Sequence, residues 1–251
     1  MLKIITKKIL SCLNVLYYSV MRPCYTLIVI CLILTFGCKT KPNTESQSLT
    51  AKEQQLLDSL TFDQSIATEI RHYNSSNIEP FHYSLSKVIK DGKEMEANPI
   101  HLKGIVFAEE YNKADNLVSN LSSHFNSKGY SIFVVERRFN IGNQPDNIAV
   151  LKTTDKYEVL KQIQTDGINF DITNDSLLKI IKRFDNDYAL NLVGASGDWC
   201  EFMITKEPTN WLSFAKEVYK VCPDVVDQGA GTVQALADEM KRTKRLYFWW
   251  D

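Results

Sequence analysis

The chain has 251 residues, of which 44% are hydrophobic and 24% are charged, and its 29 basic and 30 acidic side chains leave a formal net charge of −1. Residues 1–37 contain four basic residues and no acidic one, so the rest of the chain has 25 basic against 30 acidic side chains, a balance of −5. This composition excludes a disordered or strongly basic protein, and nucleic acid is not an expected partner.

Residues 21–38 have the layout of a secretory signal peptide that ends at a cysteine. Arg22 precedes an apolar stretch over residues 25–37, and Cys38 follows directly. A stretch of 13 residues is short of the roughly 20 that span a bilayer as a helix, but it suits the apolar region of a signal. The Gly-Cys ending resembles the lipobox of bacterial lipoproteins. We therefore expect removal of residues 1–37 and a palmitate-type acyl anchor on Cys38.

The same segment leaves two alternatives open. Thr35 stands where the lipobox usually has leucine, so an uncleaved signal anchor from about residue 9 to residue 37 is one alternative. The other is a start of translation at Met21, which would give a signal of ordinary length. Residues 38–50 are polar and without periodicity, which predicts a flexible tether behind the lipidated cysteine.

Residues 51–103 form an N-terminal region with helical spacing over 51–78 and irregular, strand-rich sequence over 81–103. The pair Asp91-Gly92 is typical of a hairpin turn. Residues 104–137 then have the pattern of a strand–helix–strand unit, with Asn112 as the expected helix cap and Gly129 at the end of the helix. A further strand is predicted over residues 148–152.

The last hundred residues alternate between helical and strand patterns. Helices are predicted to begin at Thr154 or Asp155, at an Asn174 cap, at Pro208 and at a Thr232 cap. Strands are predicted over residues 190–193, 199–204 and 246–250. We therefore expect an α+β fold, a mixed β-sheet with helices packed on it, in which residues 104–251 form the main C-terminal domain.

Three stretches of the C-terminal part carry a family resemblance. They are KTTDKYEVL at residues 152–160 with DGINFD at 166–171, CPDVVDQG at 222–229, and the terminal LYFWWD at 246–251. Together they resemble the bacterial family of domain of unknown function 4253, over about residues 104–251. The resemblance implies a bacterial α+β domain, and it implies no activity and no catalytic residues.

The stretch 222–229 also contains the carboxylates best placed by sequence for chemistry. Asp224, Asp227 and Gln228 are predicted to lie in a loop between two helices, beside Gly229. Loop carboxylates of this kind bind a hard cation or act as a general acid and base, and they also serve simply to cap and turn the chain. The sequence Gly-Ala-Gly-Thr before the last helix is a weak anion-binding pattern, because it lacks the lysine of a P-loop.

The chain ends with Trp249, Trp250 and Asp251, which are candidate binding residues. On a strand, one tryptophan faces the core and the next faces the opposite side, so one ring is a possible contact for a ligand, unless both are packed. The polar residues at two other strand ends, Arg137 and Asp198, are interpreted as solvated edges.

The cysteines and histidines suggest no metal site. Of six cysteines, only Cys200 and Cys222 fall in the predicted fold, where they form either one disulfide in an oxidising envelope or two buried thiols. The sequence has no metal-ligand spacing and no usual hydrolase base, and no cofactor is expected.

From these observations we expect an envelope lipoprotein, periplasmic or surface-exposed. Its membrane contact is the lipid anchor, and its C-terminal domain binds a protein or a small molecule without catalysis. The alternative is a hydrolase that uses Asp224 and Asp227, with or without a divalent ion.

Overall fold

The computed structural model of the chain describes residues 48–250, apart from 84–85, 91–92, 98–99 and 140. The predicted signal peptide, Cys38, most of the tether, the Asp91-Gly92 turn and Asp251 lie outside the described residues. The described part belongs to one compact unit. None of its helices is long and apolar enough to cross a membrane.

Helices and strands follow one another along the described residues. The α-helices are α1 (Ala51–Leu60), α2 (Gln64–Tyr73), α3 (Tyr111–Ser127), α4 (Lys156–Ile163), α5 (Asn174–Tyr188), α6 (Trp211–Val221) and α7 (Val233–Thr243). The strands are β1 (Glu79–Tyr83), β2 (Ser86–Lys90), β3 (Lys93–Ala97), β4 (Ile100–Glu109), β5 (Ser131–Glu136), β6 (Asp146–Leu151), β7 (Leu190–Ala195), β8 (Trp199–Ile204) and β9 (Arg245–Trp249). A π-helix, Val225–Ala230, connects α6 with α7.

Seven strands form one mixed sheet in the order β1-β4-β6-β5-β7-β8-β9, and β2 and β3 pair as a separate hairpin. All neighbours in the large sheet are antiparallel except β5 and β7, which run parallel and meet at Val134 and Gly194. This parallel contact divides the sheet into an N-terminal half of four strands and a C-terminal half of three.

Side chains alternate between the two faces of the sheet and enter two apolar cores. The first core joins Phe202 and Phe248 of the sheet to helices α4, α5, α6 and α7. The second core joins Ile132 and Val150 to helices α1, α2 and α3. The first face is thus covered by the C-terminal helices, whereas the N-terminal helices cover the second face over the N-terminal half.

The predicted α+β class, with a mixed sheet and helices packed on it, is confirmed. Several local predictions need correction. The helical pattern of residues 51–78 forms two helices, because Thr61 takes a left-handed conformation (φ 53°) and ends α1. Glu110, and not Asn112, precedes the first turn of α3.

The caps of the C-terminal helices agree with the sequence in part. Asp155 and Thr232 accept backbone hydrogen bonds as predicted. Thr173, and not Asn174, caps α5, because the Asn174 amide donates instead to the carbonyls of Leu160 and Thr165. Asn210, two residues after Pro208, caps α6.

Candidate functional site

The second face of the sheet is open over its C-terminal half. Along β9, Leu246 and Phe248 are fully buried in the first core, whereas the intervening Arg245, Tyr247 and Trp249 are only partly buried on the opposite face. Two cavities lie above this face beside helix α3, and one of them is also lined by residues of helix α7. The strands therefore form the floor of a cleft.

The largest of these cavities, which we name the central cleft, has a volume of about 650 Å³. Its charged lining residues come from five separate elements: Asp115, Arg137, Glu201, Glu239 and Arg245. Its aromatic lining residues are Tyr111, Phe139, Tyr247 and Trp249. Partly buried tyrosine, tryptophan and arginine side chains dominate binding energy at protein interfaces, so this composition is typical of a binding surface.

Four of the charged side chains form a closed ring, which we name the ion ring. Arg137 Nη2 lies 2.7 Å from Asp115 Oδ1 and 2.5 Å from Glu201 Oε2. Arg245 bridges the same two carboxylates, at 2.7 Å from Glu201 Oε1 and 3.2 Å from Asp115 Oδ2. Because Asp115 belongs to α3 and the other three to the sheet or its edge, the ion ring ties the helix to the floor of the cleft.

A fifth charged group, Asp146, lies behind the ion ring at the start of β6. The carboxyl group is fully buried; its Oδ1 accepts a hydrogen bond from the backbone of Arg138, and its Oδ2 has no hydrogen-bond partner. Arg137 Nη1 is 4.0 Å from this Oδ2. Burial raises the pKa of Asp146, and the hydrogen bond from Arg138 and the charge of Arg137 offset this only in part.

The floor of the cleft depends on one glycine. A Cβ atom at Gly194 would lie 2.6 Å from the Trp199 ring, so a side chain at this position would displace the tryptophan. Trp199 in turn packs beneath the guanidinium of Arg137, 5.7 Å from ring centroid to Cζ, and beside Tyr247. The tryptophan thus supports Arg137 and Tyr247 from below the cleft. Burial raises the pKa of Tyr247, so its phenol is neutral at pH 7.

Two further cavities extend the central cleft along α3. One of about 480 Å³ shares Asp115 and Arg245 with it and continues past Ser119 to Asn126. Another, of about 360 Å³, shares Tyr111 with the central cleft and is lined by residues 110–112 and 143–145 at the start of α3. We name the three cavities together the α3 groove.

The predicted loop carboxylates are placed in different surroundings. Residues 225–230 form a π-helix and not a loop, and the Gly231 N–H donates to the Val226 carbonyl five residues earlier. The Val226 side chain is buried. Asp224 is buried at the start of this turn. Asp227 and Gln228 are exposed, and Asp227 accepts a hydrogen bond from the Tyr219 hydroxyl.

Among the described residues, no group of three or more histidine, cysteine or acidic side chains is arranged to hold a metal ion. The hydrolase alternative stays a prediction from the sequence.

The terminal tryptophans lie on opposite faces of the sheet. Trp250 is buried in the first core, where its indole N–H donates to the Val221 carbonyl and its ring lies against Gly167. Trp249 is partly exposed and lines the central cleft. Of the pair, Trp249 is therefore the ring that a ligand can reach.

Cys200 and Cys222 are both free, buried thiols in the structure. The Cys222 thiol donates to the Trp249 carbonyl over 2.8 Å, and burial raises its pKa to about 11. Burial also raises the pKa of Cys200 well above its usual value. Both groups are therefore protonated at neutral pH, and their pairing as a disulfide stays a prediction.

Most residues of the central cleft were not predicted from the sequence. The interpretation of Arg137 as part of a solvated strand edge is wrong, because its side chain is only 10% exposed and belongs to the ion ring. Asp115, Glu201 and Arg245 carry no motif that could have been recognised. The one available signal was the alternation of polar with apolar residues along β9, where Arg245 and Tyr247 interrupt a buried strand.

The fold and the cleft define an α+β domain with a groove on one face of its sheet. Residues 147–251 match the family model described as Domain of unknown function (DUF4253), so the resemblance expected over about residues 104–251 is confirmed for its C-terminal part. Glu201, Arg245 and Trp249 fall within the match, whereas Asp115 and Arg137 precede it. No curated protein and no solved structure matches the chain.

Proposed function

We propose that the protein is a lipid-anchored binding module of the bacterial cell envelope, and that the α3 groove holds an extended segment of a partner protein. The observation that carries this proposal is a row of three adjoining cavities along α3, two of which lie above the uncovered sheet surface. The central cleft shares Tyr111 with one neighbour and Asp115 and Arg245 with the other, so we treat the three as one groove.

The length of the groove favours a peptide over a compact ligand. Its lining follows α3 from Tyr111 to Asn126, which at 1.5 Å per residue corresponds to roughly 22 Å. An extended chain advances about 3.3 Å per residue, so roughly seven residues would occupy the groove. A small molecule would fill the central cleft and leave the serine-lined continuation past Ser119 empty.

The anchor part of the proposal is supported by the order of charge, apolar stretch, glycine and Cys38 near the N-terminus. A polar tether of about twelve residues behind the cysteine would span roughly 20 Å and hold the domain close to the membrane. A tethered module meets envelope partners at high effective concentration, so modest affinity in the groove suffices for its role.

Site-specific photo-crosslinking in the living cell tests the groove. A photoreactive phenylalanine is placed at Ser119, which lines the groove, and as a matched control at Asn120, the next residue of the same helix, exposed outside the groove. We expect a discrete protein adduct from position 119, mapped by mass spectrometry to one short segment of the partner, and none from position 120. Adducts of equal yield at both positions, or none at either, would contradict the proposal.

Intact mass tests the anchor. The membrane-extracted protein should have the mass of a chain that starts at Cys38 and carries acyl groups, and a Cys38→Ser variant should lose them. An unmodified full-length mass would overturn the lipid anchor and leave the groove to be judged by the cross-links alone.

A further inference from the structure

The charges that line the central cleft do not balance. Three carboxylates, Asp115, Glu201 and Glu239, face two guanidinium groups, Arg137 and Arg245. The ion ring uses two acids and two bases and is neutral as a unit. The remaining charge of the cleft is therefore negative and belongs to Glu239.

Glu239 stands on the wall opposite the ion ring, on helix α7. The Glu239 side chain is exposed and forms no ion pair with any other described residue. By contrast, each carboxylate of the ion ring contacts both arginines. An incoming cation would find a carboxylate whose charge is still unpaired. An incoming anion would meet arginines whose charges are already balanced by Asp115 and Glu201.

Aromatic rings line the same cavity. Tyr247 and Trp249 lie on the floor strand, and Tyr111 and the largely exposed Phe139 lie at the α3 end. The faces of aromatic rings attract ammonium and guanidinium groups. The molecule already uses this contact at the floor of the cleft, where Arg137 lies over Trp199.

We propose that the central cleft is an anchor pocket for one basic side chain, arginine or lysine, of the partner segment. This inference rests on the proposed function, because it assigns the anchor residue of a segment held in the α3 groove. The aliphatic part of the basic side chain packs on Tyr247 and Trp249, and its charged end reaches Glu239. The flanking residues of the segment lie in the two neighbouring cavities.

Four heptapeptides test the charge preference. They consist of alternating alanine and serine, are acetylated and amidated, and differ only in a central arginine, lysine, citrulline or glutamate. Their binding to the full-length protein in detergent is measured by isothermal titration calorimetry. We expect the arginine and lysine peptides to bind at least about tenfold more tightly than the citrulline and glutamate peptides.

A pair of variants on α7 locates the preference. Glu239→Gln should weaken the binding of the arginine peptide about threefold to fivefold and leave the binding of the citrulline peptide unchanged. Asp238→Asn, at the neighbouring exposed residue outside the cleft, should change the binding of neither peptide.

The outcomes separate the two proposals. Equal binding of all four peptides, tighter binding of the glutamate peptide, or no binding of the arginine peptide at millimolar concentration would overturn the basic anchor. In each of these cases the adducts at Ser119 still decide whether the groove binds a protein. If the arginine peptide binds but Glu239→Gln and Asp238→Asn have the same effect, the anchor pocket is not the central cleft.

Discussion

Buried charges are used in opposite ways beneath helices α1 and α2, which we name the covered region, and around the central cleft, which we name the open region. In the covered region, Arg71 and Glu53 pair between α2 and α1 with side chains only 4% and 3% exposed. This pair has further polar partners, since Glu53 also accepts hydrogen bonds from the backbone of Thr50 and Ile78, and Arg71 donates to the Asn74 carbonyl. In the open region, the ion ring faces a cavity, and Asp146 behind it keeps an unpartnered oxygen.

The pKa directions express this difference. Burial acts to raise the pKa of Glu53, but the hydrogen bonds from Ile78 and Thr50 and the charge of Arg71 outweigh it and lower that pKa. At Asp146 burial prevails and the pKa is raised. A charge pair completes the core where helices α1 and α2 cover the sheet, whereas the open region around the central cleft keeps a buried charge incompletely satisfied.

The largest expected effect is at the covered pair. Glu53→Gln leaves the Arg71 guanidinium buried without its counter-charge and should lower the free energy of unfolding by about 3–5 kcal/mol at pH 7. Because its folded-state pKa is lowered, the stability from Glu53 is present above its usual pKa of 4.5 and is lost as the pH falls below it. Urea denaturation of wild type and variant between pH 3 and 7 measures both the loss of stability at pH 7 and its dependence on pH. A loss below about 1 kcal/mol would mean that the pair does not hold the covered region together.

A smaller loss is expected at the open ion ring. Glu201→Gln removes the charge shared by Arg137 and Arg245 and should cost about 1–2 kcal/mol, because this network borders an open cleft. Its effect should shrink in 1 M NaCl, because Asp115 and Arg245 are exposed enough for salt to screen the network, and the effect of Glu53→Gln should not. Equal salt dependence of the two variants would erase the distinction between the covered and the open region.

Asp146→Asn should stabilise the protein. The amide keeps an oxygen for the Arg138 N–H and removes a buried negative charge, so we expect a gain on the order of 1 kcal/mol at pH 7. Because the folded-state pKa is raised, wild type loses stability relative to the variant as the pH rises above 3.8, the usual value of the group. Denaturation curves from pH 3 to 7 show this as a widening difference. A variant that is less stable at pH 7 would show that Arg137 needs the Asp146 charge.

The smallest effect is expected at the rim. Phe139 is 59% exposed and has a left-handed backbone (φ 49°), a conformation that asparagine tolerates better than phenylalanine. Phe139→Asn should therefore change stability by no more than about 0.5 kcal/mol, in the stabilising direction. If thermal unfolding shows a clear loss, Phe139 contributes to the packing of the fold and is not merely a residue at the rim of the central cleft.

Much of the fold was predictable because its signals are local. Helical and strand periodicity, the caps Asp155 and Thr232, and the strand over β9 all depend on residues within a few positions of one another. The errors also have local causes. Asn174 has the composition of a cap, but Thr173 takes that role because the asparagine amide bonds to α4 and the loop after it.

The central cleft was not predictable, because its residues meet only through strand order. Arg137 and Glu201 are 64 positions apart, and they come together because β5 and β7 pair in parallel and β8 follows β7. Nothing in the neighbouring sequence of Glu201 distinguishes it from a solvent-facing residue of an edge strand. Of the candidate binding residues that the structure describes, Trp249 is the one that lines the cleft. Arg137 and Gly229, which the sequence singled out in other roles, line it as well.

The boundary of the family match has a consequence for the matched segment on its own. The match begins at residue 147, within β6, yet β6 takes both of its sheet partners, β4 and β5, from earlier in the chain. A fragment that starts there would expose two unpaired edges on β6 and one on β7, which are templates for aggregation. In this chain the matched segment is therefore not a self-sufficient folding unit, because the residues before it supply the missing strands.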